Sequence, residues 1–183
     1  TIDVLFNNAG ISQRSSVRES DMEVYHKIMD INFFGVVALT KAVLPVVLKQ
    51  KSGHIAVTRS ISGKLGTPMR SGYCATKHAL HGFFDSLRSE VWKENVGVTI
   101  VCPGYIHTNI SINAIAGDGS KHGKMDQNQA SGISAEDCAA SIVNAIYKGK
   151  EEIYIGRKEV LGVYLKRFLP GILSRILRNQ APK

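Results

Sequence analysis

A tyrosine and a lysine four residues apart are the side chains of this sequence that could most readily do chemistry together. Tyr73 and Lys77 bracket the stretch Tyr-Cys-Ala-Thr-Lys, and on a helix this spacing puts both side chains on one face. Because a nearby cation favours the phenolate, the spacing predicts a Tyr73 pKa below the ordinary value of about 10. Such a phenol could donate a proton to a carbonyl or accept one from an alcohol. A Tyr and a Lys at this spacing can equally pack and be solvated without any reaction.

A serine lies thirteen residues before that tyrosine. Ser60 follows the apolar run 54–58, which predicts a buried strand, and it opens a loop rich in glycine. A hydroxyl at a strand end can hydrogen-bond a substrate oxygen as negative charge develops on it. Arg59 directly precedes it, and this puts a charge beside the candidate site unless its side chain points outward.

Short apolar runs alternate with longer helical patterns along the chain. The predicted strands are 2–6, 54–58, 98–101 and 153–155, and the predicted helices are 19–48, 71–93 and 139–147. Ser134 and Asp137, three residues apart, resemble a helix start, and 116–131 has the composition of a mobile surface loop. This alternation is typical of an α/β domain whose parallel sheet is covered on both faces.

Composition bounds the class of protein. The 183 residues are 44% hydrophobic and 21% charged, values typical of a single globular domain and not of a disordered chain. A net charge of +8 favours anionic partners in general. Three widely spaced cysteines predict neither a disulfide framework nor a zinc site, and they fit a reducing compartment. No run reaches the roughly 18 uninterrupted apolar residues of a membrane span.

Five short motifs occur together in an order that points to a family. They are Asn-Asn-Ala-Gly at 7–10, Asn32 within 30–35, Ser60, the Tyr-x-x-x-Lys pair at 73–77, and Pro-Gly at 103–104. In this order and spacing they resemble the short-chain dehydrogenase/reductase family over nearly the whole chain. The stretches 71–87, 103–109 and 118–120 resemble, more narrowly, the dehydrogenase/reductase member 7B branch.

The resemblance implies a Rossmann-like, doubly wound parallel sheet and a hydride exchanged between NAD or NADP and a carbonyl or secondary alcohol. A steroid, a retinoid or another lipophilic molecule would be the substrate. Tyr73 would transfer the proton, Lys77 would hold the nicotinamide ribose, and Ser60, with Tyr73, would bind the substrate oxygen. Asn32 would hold a water that links Lys77 to solvent, although Asn at that position can equally mark a helix irregularity.

The resemblance also implies the residues that contact the cofactor besides Tyr73 and Lys77. Asn8, Ala9 and Gly10 would lie along the ribose, although Asn-Asn-Ala-Gly can equally be simple turn chemistry. Thr108 could equally cap a helix. The residues implied at the nicotinamide end are Pro103, Gly104, Ile106 and Thr108. Tyr105 and His107 are candidate pocket residues or ordinary surface aromatics.

The family's phosphate-binding turn, T-G-x-x-x-G-x-G, is not found in these 183 residues. It would lie about 80 residues before Asn8, so we expect this sequence to be the C-terminal part of a domain of about 260 residues. Because that turn and the following helix hold the pyrophosphate, we expect residues 1–183 alone to bind NAD(P)H weakly or not at all. The first strand would then be an exposed edge.

The last 25 residues combine basic and apolar side chains. We expect 1–158 to form the C-terminal part of the dehydrogenase domain and 159–183 a basic, amphipathic helical extension. This extension could lie on a membrane interface or could cover the substrate pocket or a subunit interface. Its five basic residues stand against one acid, Glu159, and they are Lys166, Arg167, Arg175, Arg178 and Lys183.

Competing functions find less support in the sequence. A non-catalytic binding or scaffolding protein of the same fold has no need for Asn32, Ser60, Tyr73 and Lys77 together. RNA binding lacks any recognisable motif, so we expect no nucleic-acid partner. Metal binding is disfavoured because five of the six histidines, the ones that invite such a reading, lack ligating neighbours at suitable spacing; these five are His54, His78, His81, His107 and His122. We expect a homodimer or homotetramer paired through the helices 19–48 and 71–93.

Overall fold

The computed structural model describes residues 1–179, and their centre is a sheet of four parallel strands in the order of the chain. Leu5 pairs with Ile55, Val57 with Ile100, and Cys102 with Tyr154. All four predicted strands are confirmed, and their ends differ by at most two residues from the apolar runs. The strands are β1 (Val4–Asn7), β2 (Gly53–Thr58), β3 (Val96–Pro103) and β4 (Glu152–Ile155).

The helices connect and cover these strands. The predicted helix 19–48 is present, but a π-helical turn, Asp30–Phe34, divides it into α1 and α2. The capping prediction is confirmed, because the Ser134 side chain accepts a hydrogen bond of 3.0 Å from the backbone N–H of Asp137. The helices are α1 (Met22–Met29), α2 (Gly35–Gln50), α3 (Ser71–Val91), α4 (Gln127–Ala130), α5 (Ala135–Tyr147), α6 (Leu161–Phe168) and α7 (Pro170–Arg178).

The two faces of the sheet are covered unequally. On one face α2 and α3 enclose the main core, in which Ile55, Phe84 and Ile100 are completely buried. On the other face α5 packs over the β3 and β4 side of the sheet. Val4 and Phe6 of β1 remain 49% and 38% exposed there. The prediction of a sheet covered on both faces is therefore wrong for β1.

The continuous helical segment Met22–Gln50 is long and apolar enough, by length and composition, to cross a membrane. Its most apolar window has a mean hydropathy of 2.0. In this fold, however, the segment packs against β1 and β2 and buries Val36 and Val47 in the main core. A mostly buried core helix of a globular domain passes the same test, and 28% of the most apolar window of this segment is buried.

The expected surface loop 116–131 is more structured than its composition suggested. Its last part forms the short helix α4, in which the side chain of Gln129 is buried and donates a hydrogen bond to the carbonyl of Ile106. Arg14, which follows β1 near the start of the sequence, donates a hydrogen bond to the Asp126 carboxylate of this loop. Composition alone could not reveal these tertiary contacts, because polar residues dominate both loops and buried hydrogen-bonded segments.

The C-terminal extension forms two short helices, α6 and α7, separated at Leu169, with Pro170 as the first residue of α7. Two short helices are thus present where the sequence predicts them, and the division of the chain between residues 158 and 159 stays a prediction. Residues 180–183, including Lys183 of the predicted basic tail, lie outside the described residues.

Candidate functional site

Tyr73 and Lys77 face the same side of α3, as their spacing predicts. The Lys77 ammonium lies 5.7 Å from the centroid of the Tyr73 ring and donates a hydrogen bond of 2.9 Å to the carbonyl of Thr58, the last residue of β2. Lys77 is buried and Tyr73 half-buried. The helix thereby places a phenol and a cation at the carboxyl edge of the sheet, where ligands of parallel α/β folds bind.

The prediction of a lowered Tyr73 pKa is wrong for the chain as described. Burial raises the pKa of the phenol above its ordinary value, and the nearby Ser60 hydroxyl and the Arg70 and Arg14 guanidinium groups oppose that shift only in part. Burial, and then repulsion from Arg59, lowers the pKa of Lys77 to about 8. For the phenol, the cost of charging a group removed from water is therefore larger than the stabilisation that a nearby cation gives the phenolate, on which the prediction from the spacing of Tyr73 and Lys77 is based.

Ser60 begins the loop after β2 and lies beside the phenol. Its hydroxyl caps a short 3₁₀ turn by accepting a hydrogen bond of 3.1 Å from the N–H of Ser62, and it donates a longer one of 3.4 Å to the carbonyl of Pro103. These contacts fix the hydroxyl between β2 and the end of β3. One hydroxyl is thus positioned for a substrate oxygen by a backbone group of the turn after β2 and one at the end of β3.

Arg59 points inward, beneath the site. Its guanidinium is almost completely buried and donates to the carbonyls of Lys77, at 2.6 Å, and of Gly63. A carboxylate oxygen of Glu152 lies 3.7 Å away. The charge that the sequence placed beside Ser60 is therefore a buried cation that holds α3 to β2, and it raises the cost of charging Lys77.

Asn32 occupies the π-helical turn and is completely buried. Its side chain accepts a hydrogen bond from the N–H of Ile11 and donates to the carbonyl of Ile11 and to the hydroxyl of Thr76. It therefore fastens the segment after β1 to α3, and the helix irregularity weighed for this position is present. Its role in holding a water beside Lys77 stays a prediction.

Two adjacent cavities border these residues. The strand-side cavity, of about 720 Å³, lies between β1, the end of β3 and α5, and the helix-side cavity, of about 760 Å³, lies against α6 and α7. Ser60, Tyr73 and Gly104 line both cavities, together with Ile110 and Gln129. The candidate proton donor and the candidate oxygen-binding hydroxyl therefore stand where the two cavities meet.

Most of the expected cofactor contacts border the strand-side cavity, and Ala9 is the exception. Asn8 accepts a hydrogen bond of 2.7 Å from the hydroxyl of Thr58. Thr108 precedes a series of turns and caps no helix in the described part of the chain, so that alternative is wrong. The residues of the expected set that line this cavity are Asn8, Gly10, Tyr73, Lys77, Pro103, Gly104, Ile106 and Thr108.

Sequence reasoning missed a pair of arginines near the phenol. Arg14 and Arg70 both bind one carboxylate oxygen of Asp126, at 2.5 and 2.9 Å, and both line the helix-side cavity. Arg70 precedes Tyr73 by three residues at the start of α3, so helical spacing could have indicated it. Nothing in the sequence placed Arg14 or Asp126 beside them, because these contacts join distant parts of the chain.

The prediction that the histidines lack ligating neighbours at suitable spacing is wrong for two of them. His81 and His122 do have a carboxylate four residues further on, Asp85 at 3.1 Å and Asp126 at 3.9 Å. Within residues 1–179 no three His, Cys, Asp or Glu side chains cluster in a way that could hold a metal ion. Tyr105 borders the helix-side cavity, whereas exposed His107 lines neither of the two cavities.

Comparison with known proteins gives consistent matches in sequence and fold. A family model described as short chain dehydrogenase matches residues 1–118. Dehydrogenase/reductase SDR family member 7B of Mus musculus is 45% identical over the whole chain, which covers 57% of that relative. Dehydrogenase/reductase SDR family protein 7-like of Drosophila melanogaster is 41% identical, again over the whole chain and 56% of the relative. The chain thus spans little more than half the length of these relatives.

Solved structures match the fold. A short chain dehydrogenase from Burkholderia cenocepacia, crystallised with NADP, has a TM-score of 0.81 at 24% identity, covering 96% of this chain and 68% of that one. A short-chain dehydrogenase from Streptomyces avermitilis has a TM-score of 0.73 at 27% identity, covering 95% of this chain and 66% of that one. The expected Rossmann-like α/β architecture is confirmed by these matches and by the parallel sheet.

Proposed function

The chain belongs to the short-chain dehydrogenase/reductase family, and from this we propose that the full-length protein exchanges a hydride between NAD or NADP and a carbonyl or secondary alcohol. The observation that carries the proposal is the meeting of the two cavities at Ser60 and Tyr73. A hydride transfer needs two ligands side by side, with a proton-transferring group at their boundary. Ser60 and Tyr73 lie at such a boundary, because both line the strand-side and the helix-side cavity.

The strand-side cavity fits the ribose and nicotinamide part of such a cofactor. A Cβ atom at Gly10 would lie 3.2 Å from the Asn32 side-chain oxygen and 3.5 Å from the Lys77 ammonium, so the missing side chain keeps space open beside both polar groups. Asn8, Gly10 and Lys77 would hold the ribose, and Pro103 to Thr108 would border the ring. When bound, the cofactor supplies or accepts the hydride.

The chain's own residues would then manage the proton and the substrate oxygen. Burial keeps the Tyr73 phenol protonated at neutral pH, so it is ready to donate its proton to a carbonyl oxygen that is being reduced. The Ser60 hydroxyl, fixed between β2 and β3, would stabilise negative charge on the same oxygen. The Lys77 ammonium would favour the phenolate that remains after the transfer.

We assign a lipophilic substrate to the helix-side cavity. Much of its wall is apolar, and the two C-terminal helices contribute a large share of it. A steroid, a retinoid or an alkyl ketone would bury its carbon skeleton there while its oxygen lay near Ser60 and Tyr73. The apolar wall residues are Ile61, Leu65, Leu161, Leu165, Leu173, Ile176 and Leu177.

We propose a homodimer or homotetramer that pairs through the long helices. Large apolar side chains on the Met22–Gln50 segment remain exposed, which supports pairing on that side. They are Met22, Ile31, Phe34, Leu39 and Val46. Sedimentation of the full-length protein would measure the assembly, and a monomer at micromolar concentration would contradict the proposal.

The scaffolding alternative finds no support in a site that brings Ser60, Tyr73 and Lys77 to one cavity.

The proposed function is tested by following oxidation of NADH and of NADPH by the full-length protein. The carbonyl probes would be a steroid ketone, retinal, a long-chain alkyl ketone and acetone. We expect turnover with at least one lipophilic probe and far less with acetone, which cannot fill the apolar cavity. Absence of turnover with every carbonyl probe, and of NAD or NADP reduction with the corresponding alcohols, would favour the scaffolding alternative.

Replacing Ser60 with alanine should lower kcat/KM by about 100-fold, because one donor to the developing oxyanion is lost. The capped 3₁₀ turn would also lose a hydrogen bond, at a cost of about 1 kcal/mol in the free energy of unfolding. Ser134→Ala is the matched control, since it also removes a capping hydroxyl but Ser134 lines neither cavity. Equal losses of kcat/KM in both variants would show that the effect comes from lost stability and not from the Ser60 hydroxyl.

Cofactor affinity should fall as pH rises through about 8. Burial lowers the pKa of Lys77 to about 8, so the ammonium is charged below that pH and neutral above it. Tyr73 does not titrate in this range because burial raises its pKa above the ordinary value. Measuring Kd for NADPH between pH 6.5 and 9 tests this. Loss of the hydrogen bonds from the charged ammonium should weaken cofactor binding by about 2 kcal/mol. A pH-independent Kd in the wild type, or the same pH step in Lys77→Met, would contradict the assignment.

A further inference from the structure

The two C-terminal helices present two different apolar surfaces. The inner surface faces the helix-side cavity, and Leu165, Leu173 and Leu177 belong to it, with Leu173 buried. The outer surface is open, and Phe168 is 73% exposed there. Pocket covering and membrane contact, which the sequence posed as alternatives, therefore do not exclude each other. The outer surface consists of Tyr164, Phe168, Leu169 and Ile172, whereas Leu161 and Ile176 are partly exposed but also line the cavity.

Exposed basic side chains lie on the same two helices as this outer surface. On α7, Ile172 and Ile176 lie one turn apart, and Arg175 borders them on the helical projection. Lys166 and Arg167 stand in the last turn of α6, before Phe168. Residues 160–179 include no Asp or Glu, so the two helices carry four exposed positive charges, from Lys166, Arg167, Arg175 and Arg178. None of the four forms an ion pair with a carboxylate within residues 1–179.

We infer that the outer surface of α6 and α7 docks on an anionic lipid bilayer. Exposed apolar side chains flanked by basic ones on short amphipathic helices are the arrangement that lies in a membrane interface, with the apolar groups in the acyl boundary and the cations at the headgroups. The inference goes beyond the proposed reaction and does not depend on it. Its geometric consequence is that one wall of the helix-side cavity would lie against lipid.

The charge of this surface argues against a second copy as its occupant. A symmetric dimer brings the same patch of both subunits together, so four positive charges would face four others across the interface. No acidic side chain in residues 160–179 offsets that repulsion. An anionic bilayer complements the same charges, and each basic residue near such a surface strengthens binding.

The test is sedimentation of the full-length protein with phosphatidylcholine vesicles that do or do not contain phosphatidylserine. Lys166→Gln with Arg167→Gln should lower the partition coefficient on the anionic vesicles by about 30-fold, and added salt should lower wild-type binding as well. The matched control is Lys148→Gln with Lys150→Gln, which removes two exposed cations elsewhere and should change binding less than about 2-fold.

A second pair of variants tests the apolar part of the surface. Phe168→Ser should weaken vesicle binding by about tenfold, whereas Tyr147→Ser, at an exposed aromatic on α5, should not. Thermal melts and circular dichroism would check that all variants stay folded. The proposal is overturned if the test and control variants bind alike. It is also overturned if Phe168→Ser changes only the protein's own molecular mass without lipid, which would identify a second copy as the occupant.

Discussion

Tyr73→Phe in the full-length protein should lower kcat by about 1,000-fold while leaving cofactor Kd within about 3-fold. The change removes one oxygen and its proton and keeps the ring that separates the two cavities. The lost rate therefore measures proton transfer. The two readouts are steady-state kinetics with the best carbonyl probe and a fluorescence titration with NADPH.

Tyr25→Phe is the matched control for this prediction. Its phenol hydrogen-bonds Ser71 of α3 at 2.9 Å, and Tyr25 lines neither cavity. We expect its kcat to stay within about 2-fold of the wild type. If Tyr73→Phe retained more than about a tenth of the wild-type kcat, another group would have to transfer the proton.

Lys77→Ala has the second largest expected effect, and it differs in kind because both affinity and rate should fall. The ammonium borders the strand-side cavity and lies 5.7 Å from the Tyr73 ring centroid, so it can act on the cofactor and on the phenol. Losing hydrogen bonds from a charged group costs about 2 kcal/mol, or about a 30-fold rise in cofactor Kd. Isothermal titration with NADPH, alongside kcat, separates the two effects.

The loss of the bond between Lys77 and the Thr58 carbonyl needs its own control. Lys77→Met fills the same space without the charge and should reproduce the affinity loss of Lys77→Ala. If the methionine variant bound NADPH as the wild type does, packing and not charge would explain the alanine result. An unchanged Kd in both variants would contradict a cofactor contact at this position.

The fold was predictable where one local pattern determines one element. The short apolar runs between the helical patterns correctly indicated β1 to β4, and the spacing of Ser134 and Asp137 indicated the start of α5. The spacing of Tyr73 and Lys77 correctly placed both on one helical face. These successes share a cause, because period, capping and helical spacing are properties of neighbouring residues.

The features that the sequence did not predict depend on contacts between parts of the chain that are distant in sequence. The pKa direction of Tyr73 depends on burial by elements far away in sequence, and the pair spacing could not reveal it. The inward direction of Arg59 depends on carbonyls of α3 and on the Glu152 carboxylate. The exposure of β1 on one face reflects which helices are present to cover it.

The most direct test of the central claim is an equilibrium titration of the full-length protein with NADH and NADPH, followed by the fluorescence of the reduced nicotinamide. We expect saturable binding of at least one of them, weakened by about 30-fold in Lys77→Ala and nearly unchanged in Tyr73→Phe. No saturable binding of either cofactor, or binding that is equally strong in Lys77→Ala, would contradict the assignment of the strand-side cavity to a nicotinamide cofactor.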